Sequence, residues 1–474
     1  MSTPAPAPIR SEDRVPWREK LAYGAAASSG GWAEYATQAL INPIFVVLMH
    51  VSPTTVSLAQ LIFRLWDAFT DVFVGSLSDN ARTRWGRRRP FIFVGALLTG
   101  LWMPCMWLFG RDWSGTALVV WFIGAWLVFY LFQTIWNVPY QSLLLEMTPD
   151  THERTNVAAV RGYFGKAAVV MTGWVWFLTQ LPLFHDAEGA PDTLLGARWV
   201  IAVVGALVVV AGVLPAFFIT ERFYKRAAAQ AKIPIRESLR LTFRNRPFVL
   251  LAIFTLLFAL GSQTVAGLGF YTKLYYVCGG DQKLASLLDG ITGTATLITG
   301  FAGIPLFQWI ARRWGKERGL AIAMAVTLLS SLSTWLTFNP AFPYLSLVNG
   351  ILLAPAATGM WVIIPSMTGD VADYDELHTG ERREGAFAAI YSWVLKLAFS
   401  VGIGLSGPLV ELAGFRAGAV APLAPEVLLK MRLLLAFVPV LFLGAAICVL
   451  LRYPLTPKRI TEVRAMLEAR RGKL

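Results

Sequence analysis

Two carboxylates, Asp67 and Asp71, stand four residues apart in the stretch Arg64-Leu65-Trp66-Asp67-Ala68-Phe69-Thr70-Asp71, inside an otherwise apolar segment. On a helix that spacing puts both acids on one face, about one turn or roughly 6 Å apart. An acidic side chain at mid-bilayer costs on the order of 3 kcal/mol, so an intramembrane pair marks a site. Its chemistry is cation binding, and on a membrane helix that implies cation-coupled transport. A second charge, Lys396, lies in the apolar run Tyr391-Ser392-Trp393-Val394-Leu395-Lys396. It is roughly two turns or more beyond Glu384, the last charge before it. Gly31, Glu34, Tyr35, Gln38 and Asn42 repeat at helical spacing as a polar stripe, which in a membrane helix must face protein or water. Enzymatic chemistry has no comparable support. His50, His152, His185 and His378 are scattered, with no zinc-like or nucleophile–base spacing, and Cys105, Cys278 and Cys448 show no paired spacing.

The elements that carry these residues are membrane helices. Of 474 residues, 56% are hydrophobic and only 15% charged, against about a quarter charged in soluble domains. Apolar segments of spanning length recur at about 21–48, 55–79, 91–110, 116–146, 157–180 and 197–220. Six more follow a polar break, at about 248–277, 285–310, 319–338, 344–369, 386–414 and 430–451. The expectation is an all-α membrane protein with twelve transmembrane helices in two six-helix halves. It comprises a cytosolic tail (1–20), an N-terminal half (21–220), a cytosolic linker (221–247), a C-terminal half (248–451) and a second cytosolic tail (452–474). The net charge of +13 comes from basic residues in alternate short loops, so it reports topology and not a nucleic-acid partner. Both termini are expected in the cytoplasm. Arg84-Trp85-Gly86-Arg87-Arg88-Arg89 after the second segment is echoed by Arg313-Trp314-Gly315-Lys316-Glu317-Arg318 after the eighth, an internal repeat. In that repeat Thr296 and Gly300 stand opposite Asp67 and Asp71, so only the first half carries the acids.

The chain resembles a known family in two separated motifs. One is Asp67-x-x-x-Asp71 followed by Asp79 and Arg84-Trp85-Gly86-Arg87-Arg88-Arg89-Pro90-Phe91. The other is Asp370-Val371-Ala372-Asp373-Tyr374-Asp375-Glu376, then Thr379-Gly380 and Arg382-Arg383-Glu384-Gly385. Together they are similar to the glycoside–pentoside–hexuronide:cation symporters, the melibiose-permease branch of the major facilitator superfamily, over nearly the whole chain. The resemblance implies the major facilitator fold and cation:sugar symport by alternating access. It assigns cation binding to Asp67, Asp71, Thr134 and Asn137, the last standing where the archetype has a third Asp. Sodium and proton both stay open as the coupling ion, and no cofactor is implied. It sets Lys396 opposite the acids and gives sugar contacts to Arg161 and Trp361. Gln141 replaces a second tryptophan of the sugar pocket, and Gly31 stands at the place of a sugar-binding Asp. Glu34, one turn on and beside Tyr35, is then a candidate acceptor for sugar hydroxyls. Arg154, Asp370, Asp373, Glu376, Arg382 and Arg383 match a cytoplasmic gate. The expected partners are a small solute (glycoside, sugar or sugar acid) and the lipid bilayer of the plasma or inner membrane, with no nucleic acid and a monomeric working form. The alternatives are a carrier of a lipid-like or other amphipathic solute on the same fold, or an uncoupled facilitator.

Overall fold

The computed structural model describes residues 14–113, 115–148, 150–186, 189–222, 244–380 and 384–471. The central part of the expected linker, 223–243, lies outside them. The described chain is helical, with α1 (Trp17–Ala39), α2 (Pro53–Asn80), α3 (Arg89–Cys105), α4 (Gly115–Met147), α5 (Thr151–Leu178) and α6 (Thr193–Phe218). Next come α7 (Arg246–Gln263), α8 (Gln282–Trp314), α9 (Lys316–Thr337), α10 (Ser346–Thr379), α11 (Glu384–Leu412), α12 (Pro425–Leu450) and α13 (Pro457–Arg471). Among the described residues, eight helices are long and apolar enough to cross a membrane: α4, α6 and α7 through α12, with α7 counted through its continuation to Val277. Several starts follow from local chemistry, because an Asp or Asn side chain accepts from an orphan N–H of the first turn. Asp150 Oδ1 caps Glu153 N at 2.7 Å, Asn245 Oδ1 caps Phe248 N at 3.1 Å, and Asp281 Oδ1 caps Leu284 N at 3.0 Å.

The helices sort into two compact units. One contains residues 1–44 and 65–231, the other 45–64 and 232–474. In the first, small residues let backbones approach. Gly100 on α3 and Gly205 on α6 meet so closely that a Cβ on either would lie 2.3–2.4 Å from the other's carbonyl oxygen. Its core gathers Tyr23, Ile92, Trp136, Tyr140 and Leu143. In the second unit Gly303 on α8 packs on Pro355 of α10, and Gly359 of α10 packs on Phe307. Phe248, Phe254, Met360 and Met367 lie in that core.

The boundary falls inside α2, between Arg64 and Leu65, and residues 45–64 group with the second unit. The physical reason is a close seam on α11. Ser57 Oγ donates to Gly404 O at 3.1 Å, Thr54 N donates to Glu411 Oε1 at 3.3 Å, and a Cβ on Gly407 would sit 2.1 Å from Pro53 O. The Gly404-x-x-Gly407 pair opens the face that α2 fills.

The repeat seen in sequence is realised in backbone form. Gly86 and Gly315, the glycines of the two Arg-Trp-Gly triplets, have φ of 110° and 97°, a region that favours glycine. A second correspondence links α1 and α7. Each leads to a π-helical turn, Asn42–Leu48 after α1 and Thr272–Val277 after α7 and a short helix (Ala266–Tyr271).

Candidate functional site

In the first unit, α2 and α4 bring the expected cation ligands together in part. Thr134 Oγ1 donates to Asp67 Oδ1 at 3.2 Å. Thr70 Oγ1 lies 3.2 Å from Thr134 Oγ1 and 3.1 Å from Asp67 O, to which it donates. Both threonine hydroxyls are buried. A hydroxyl has one proton and two lone pairs, so the cluster offers a carboxylate and two hydroxyl oxygens. Asp71, half-buried, follows one turn along α2. Asn137 lies one turn beyond Thr134 on α4, and its Oδ1 accepts from Gln141 Nε2 at 3.0 Å, so two of the predicted residues bind each other. Trp66 Nε1 donates to Leu127 O at 3.1 Å and ties α2 to α4 beside the cluster. Thr70 was absent from the sequence-derived set, although its spacing of three from Asp67 puts it on the same face.

On α1, Gln38 Nε2 lies 3.5 Å from Glu34 Oε1 and 3.4 Å from the hydroxyl oxygen of the buried Tyr130, to both of which it donates. Tyr35 is exposed. Gly31 faces α5 at close range, since a Cβ there would be 3.2 Å from Ala168 Cβ. A larger side chain at that position would press on α5. Arg161 on α5 lies over the Tyr140 ring, 5.6 Å from its centroid. Tyr140 in turn stacks on Trp136 (4.8 Å) and Tyr23 (4.6 Å), and its hydroxyl donates to Tyr23 O at 2.7 Å. Arg161 thus rests on an aromatic column, where cation–π attraction adds to its hold.

Lys166 also lies on α5 and was not foreseen. Val160, Phe164 and Ala168 pack on α1. Lys166 is two residues past Phe164, about 200° around the helix, and so on the opposite side. The cost argument that singled out Lys396 applies equally to it.

In the second unit, Trp361 on α10 is exposed and Lys396 on α11 is half-buried. A further charge pair, Lys273 with Asp289, joins the π turn after α7 to α8. Of the expected gate residues, Asp370 is buried and accepts from Lys316 Nζ at 2.5 Å and from Arg464 Nη2 at 2.9 Å. Arg464 Nε is also 3.7 Å from Asp373 Oδ2, and Glu376 is half-buried. Arg464 belongs to α13, so the segment expected as a tail supplies a cation to the Asp370 cluster. In the first unit, Arg154 Nη2 donates to Thr148 O at 3.1 Å. Arg382 and Arg383 lie outside the described residues.

The Arg-Trp-Gly loops are built alike in their charge chemistry. In the first unit, Arg87 Nη2 and Arg88 Nε donate to Glu146 Oε1 at 2.5 and 2.6 Å, at the end of α4. Glu146 is fully buried. In the second, Lys316 reaches Asp370 near the end of α10. Each Arg-Trp-Gly triplet is therefore followed by basic side chains seated on a buried acid, Arg87 and Arg88 on Glu146 in the first unit and Lys316 on Asp370 in the second.

Outside the membrane spans, Glu153 links the chain's start to α5. It accepts from Val15 N at 2.8 Å, Lys20 Nζ at 2.7 Å and Asn156 Nδ2 at 3.1 Å. Burial pushes its carboxyl up, but the hydrogen bonds from Lys20, Asn156 and Val15 outweigh it and hold the group below its ordinary value.

Residues 22–457 match the family described as MFS/sugar transport protein. The chain is 22% identical to the isoprimeverose transporter of Lactiplantibacillus pentosus, covering 97% of this chain and 93% of that one. It is 24% identical to the sodium-dependent lysophosphatidylcholine symporter 1-A of Danio rerio, over 86% and 80% of the two chains. Among solved structures, an inward-facing, unoccupied bacterial homologue of the human lysosomal transporter Spinster superposes with a TM-score of 0.66. That likeness has 14% identity and covers 97% of this chain and 99% of the other.

Proposed function

Because the chain belongs to the MFS/sugar transport protein family, and is thus a multi-pass membrane transporter and not an enzyme, we propose that it is a cation-coupled symporter of a sugar or glycoside. The observation that carries this reading is the Asp67–Thr70–Thr134 cluster. A hard monovalent cation takes oxygen ligands, and a proton takes a carboxylate. The cluster supplies both, with Asp71 and Asn137 completing the donor set. Lys396 would offset the two acids while the ion is absent. Arg161 suits a sugar because its planar fork donates to neighbouring hydroxyls, and Glu34, Tyr35, Gln141 and Trp361 supply further polar and ring contacts. Twelve spanning helices in two halves, both termini in the cytoplasm of a plasma or inner membrane, and a monomeric working form complete the reading. Arg154, Asp373, Glu376, Arg382 and Arg383 join Asp370 as a cytoplasmic gate.

In this mechanism the chain alternates between inward- and outward-open forms. Ion and solute each bind one form better than the other, and the two are coupled because they bias the same equilibrium. A second reading, transport of an amphipathic lipid-like solute on the same fold, is favoured by the similarity to the lysophosphatidylcholine symporter.

The test is counterflow and gradient-driven uptake in proteoliposomes, with a panel of glycosides, sugar acids and lysophospholipids under sodium or pH gradients. Glycoside accumulation driven by one gradient, and lost in Asp67→Asn and Asp71→Asn while counterflow persists, is the expected result. Accumulation that survives both substitutions removes the acids from coupling. Lysophospholipid uptake alone selects the second reading.

A further inference from the structure

The loop between α2 and α3 borders an open cavity of about 700 Å³ in the first unit. Its lining includes Asp79, Arg82, Arg84, Trp85, Arg89 and Glu221. Both acids are already committed. Glu221 accepts from the backbone N–H groups of Arg87, Arg88 and Arg89 at 2.7, 2.8 and 3.1 Å, and Asp79 Oδ1 accepts from Arg88 Nη2 at 3.0 Å. Arg87 and Arg88 are held by Glu146. Among the described residues no carboxylate pairs with Arg82, Arg84 or Arg89. The first two are exposed, and Arg89 commits its Nε to Ala216 O at 2.6 Å. The charge left facing the cavity is therefore positive.

Beside these guanidinium groups the wall is aromatic and then aliphatic. Trp85 meets Phe93 and Phe217 edge-on at 5.6 and 5.8 Å. From there Val94 and Leu101 on α3, and Phe217 and Val210 on α6, are all exposed. Spacings of seven keep each pair on one helix face, and the contact of Phe93 with Phe217 (5.6 Å) makes the two faces adjoin. A cationic cavity that opens onto an apolar track fits an anionic head with hydrocarbon behind it.

We propose that the cavity is a headgroup site for an anionic phospholipid of the cytoplasmic leaflet, with the phosphate held by Arg82, Arg84 and Arg89 and the chains along α3 and α6. Basic pockets at the cytoplasmic ends of membrane helices recognise such lipids by this chemistry, and tryptophan settles at headgroup level. The proposal rests on the cytoplasmic orientation of this loop. It does not need the transported solute.

Full-length protein in phosphatidylcholine nanodiscs, with rising fractions of phosphatidylglycerol, tests the site. Lipid retained after detergent exchange is counted by native mass spectrometry, with no solute present, so the transport reading is not at stake. Wild type is expected to retain phosphatidylglycerol over phosphatidylcholine. Arg82→Gln with Arg84→Gln should weaken retention by about fivefold per arginine, the scale for a basic residue at an anionic surface. Arg82→Lys with Arg84→Lys should largely restore it. Arg312→Gln with Arg313→Gln, exposed basic residues at the end of α8, should leave it unchanged. Equal loss in that control, no preference for phosphatidylglycerol, or full retention by the Gln pair overturns the proposal. So does a rise in unfolding temperature with inorganic phosphate in pure phosphatidylcholine, which would mark a soluble-anion site.

Discussion

Thr134→Val separates a coupling site from a packing contact. Thr134 is 1% exposed, and its hydroxyl donates to Asp67 Oδ1 at 3.2 Å while neighbouring Thr70 Oγ1. Valine keeps the branched shape and removes one oxygen ligand, so the effect reads mainly the lost polar contact. A hydrogen bond to a charged group contributes about 1.5–3 kcal/mol, and each 1.4 kcal/mol is about tenfold in affinity. If the hydroxyl oxygen serves a bound sodium as well as Asp67, half-saturation by sodium should rise between about tenfold and a hundredfold. If a proton drives transport, losing a donor to the carboxylate strengthens proton binding, and half-saturation should shift to higher pH. Maximal counterflow, which needs no net ion movement, should change little. The assay is solute uptake in proteoliposomes against sodium concentration at fixed pH, then against pH without sodium, for wild type, Thr134→Val and Thr134→Ser. Serine restores the oxygen and should recover most of the affinity. Valine within twofold of wild type for both ions, or serine as impaired as valine, would refute the assignment of this cluster to coupling.

Three further outcomes follow from charges and turns at the helix ends. Glu146→Gln leaves Arg87 and Arg88 without their buried charge partner, with Asp79 as partial compensation, and should cost about 3 kcal/mol; an unchanged thermal unfolding midpoint contradicts this. Gly86→Ala forces a side chain into φ 110° and puts a Cβ 2.7 Å from Glu221 Oε1. The start of α3 should loosen at a cost of at least about 1 kcal/mol, read as faster proteolysis of the α2–α3 loop. Glu153, held below its ordinary value of 4.5, binds fewer protons folded than unfolded near that pH. Its stabilisation is therefore complete above the ordinary value and is lost as pH falls through the depressed one. Unfolding midpoints followed from neutral into acid should fall less steeply in Glu153→Gln than in wild type.

Asp67, Asp71 and Lys396 stand out in the sequence because lipid makes each charge expensive, and the same test applied to Lys166 would have singled it out as well. Thr70 was not legible. Threonine is ordinary in membrane helices, and this one matters only because Thr134, far along the chain, meets it across α2 and α4. Lys273 and Asp289 lie on separate elements, and Arg464 sits in a polar segment whose composition resembles a solvated tail. The contact of Arg161 with Tyr140 was not legible, since helical spacing does not reveal which aromatic ring another helix presents. The Arg-Trp-Gly repeat was legible and corresponds to two glycines of similar positive φ. The grouping of 45–64 with the second unit was not, because apolar spans look alike; the Gly404-x-x-Gly407 pair was the available signal.

That grouping divides one helix, α2, between the two units. Its first turns are clamped to α11 through Ser57 and Thr54, and the unit boundary falls between Arg64 and Leu65, two residues before Asp67. A helix transmits bending and rotation over a turn with little loss, because its backbone hydrogen bonds resist both. The Gly404–Gly407 seam and the Asp67–Thr134 contact are therefore two points on one continuous helix, Pro53–Asn80.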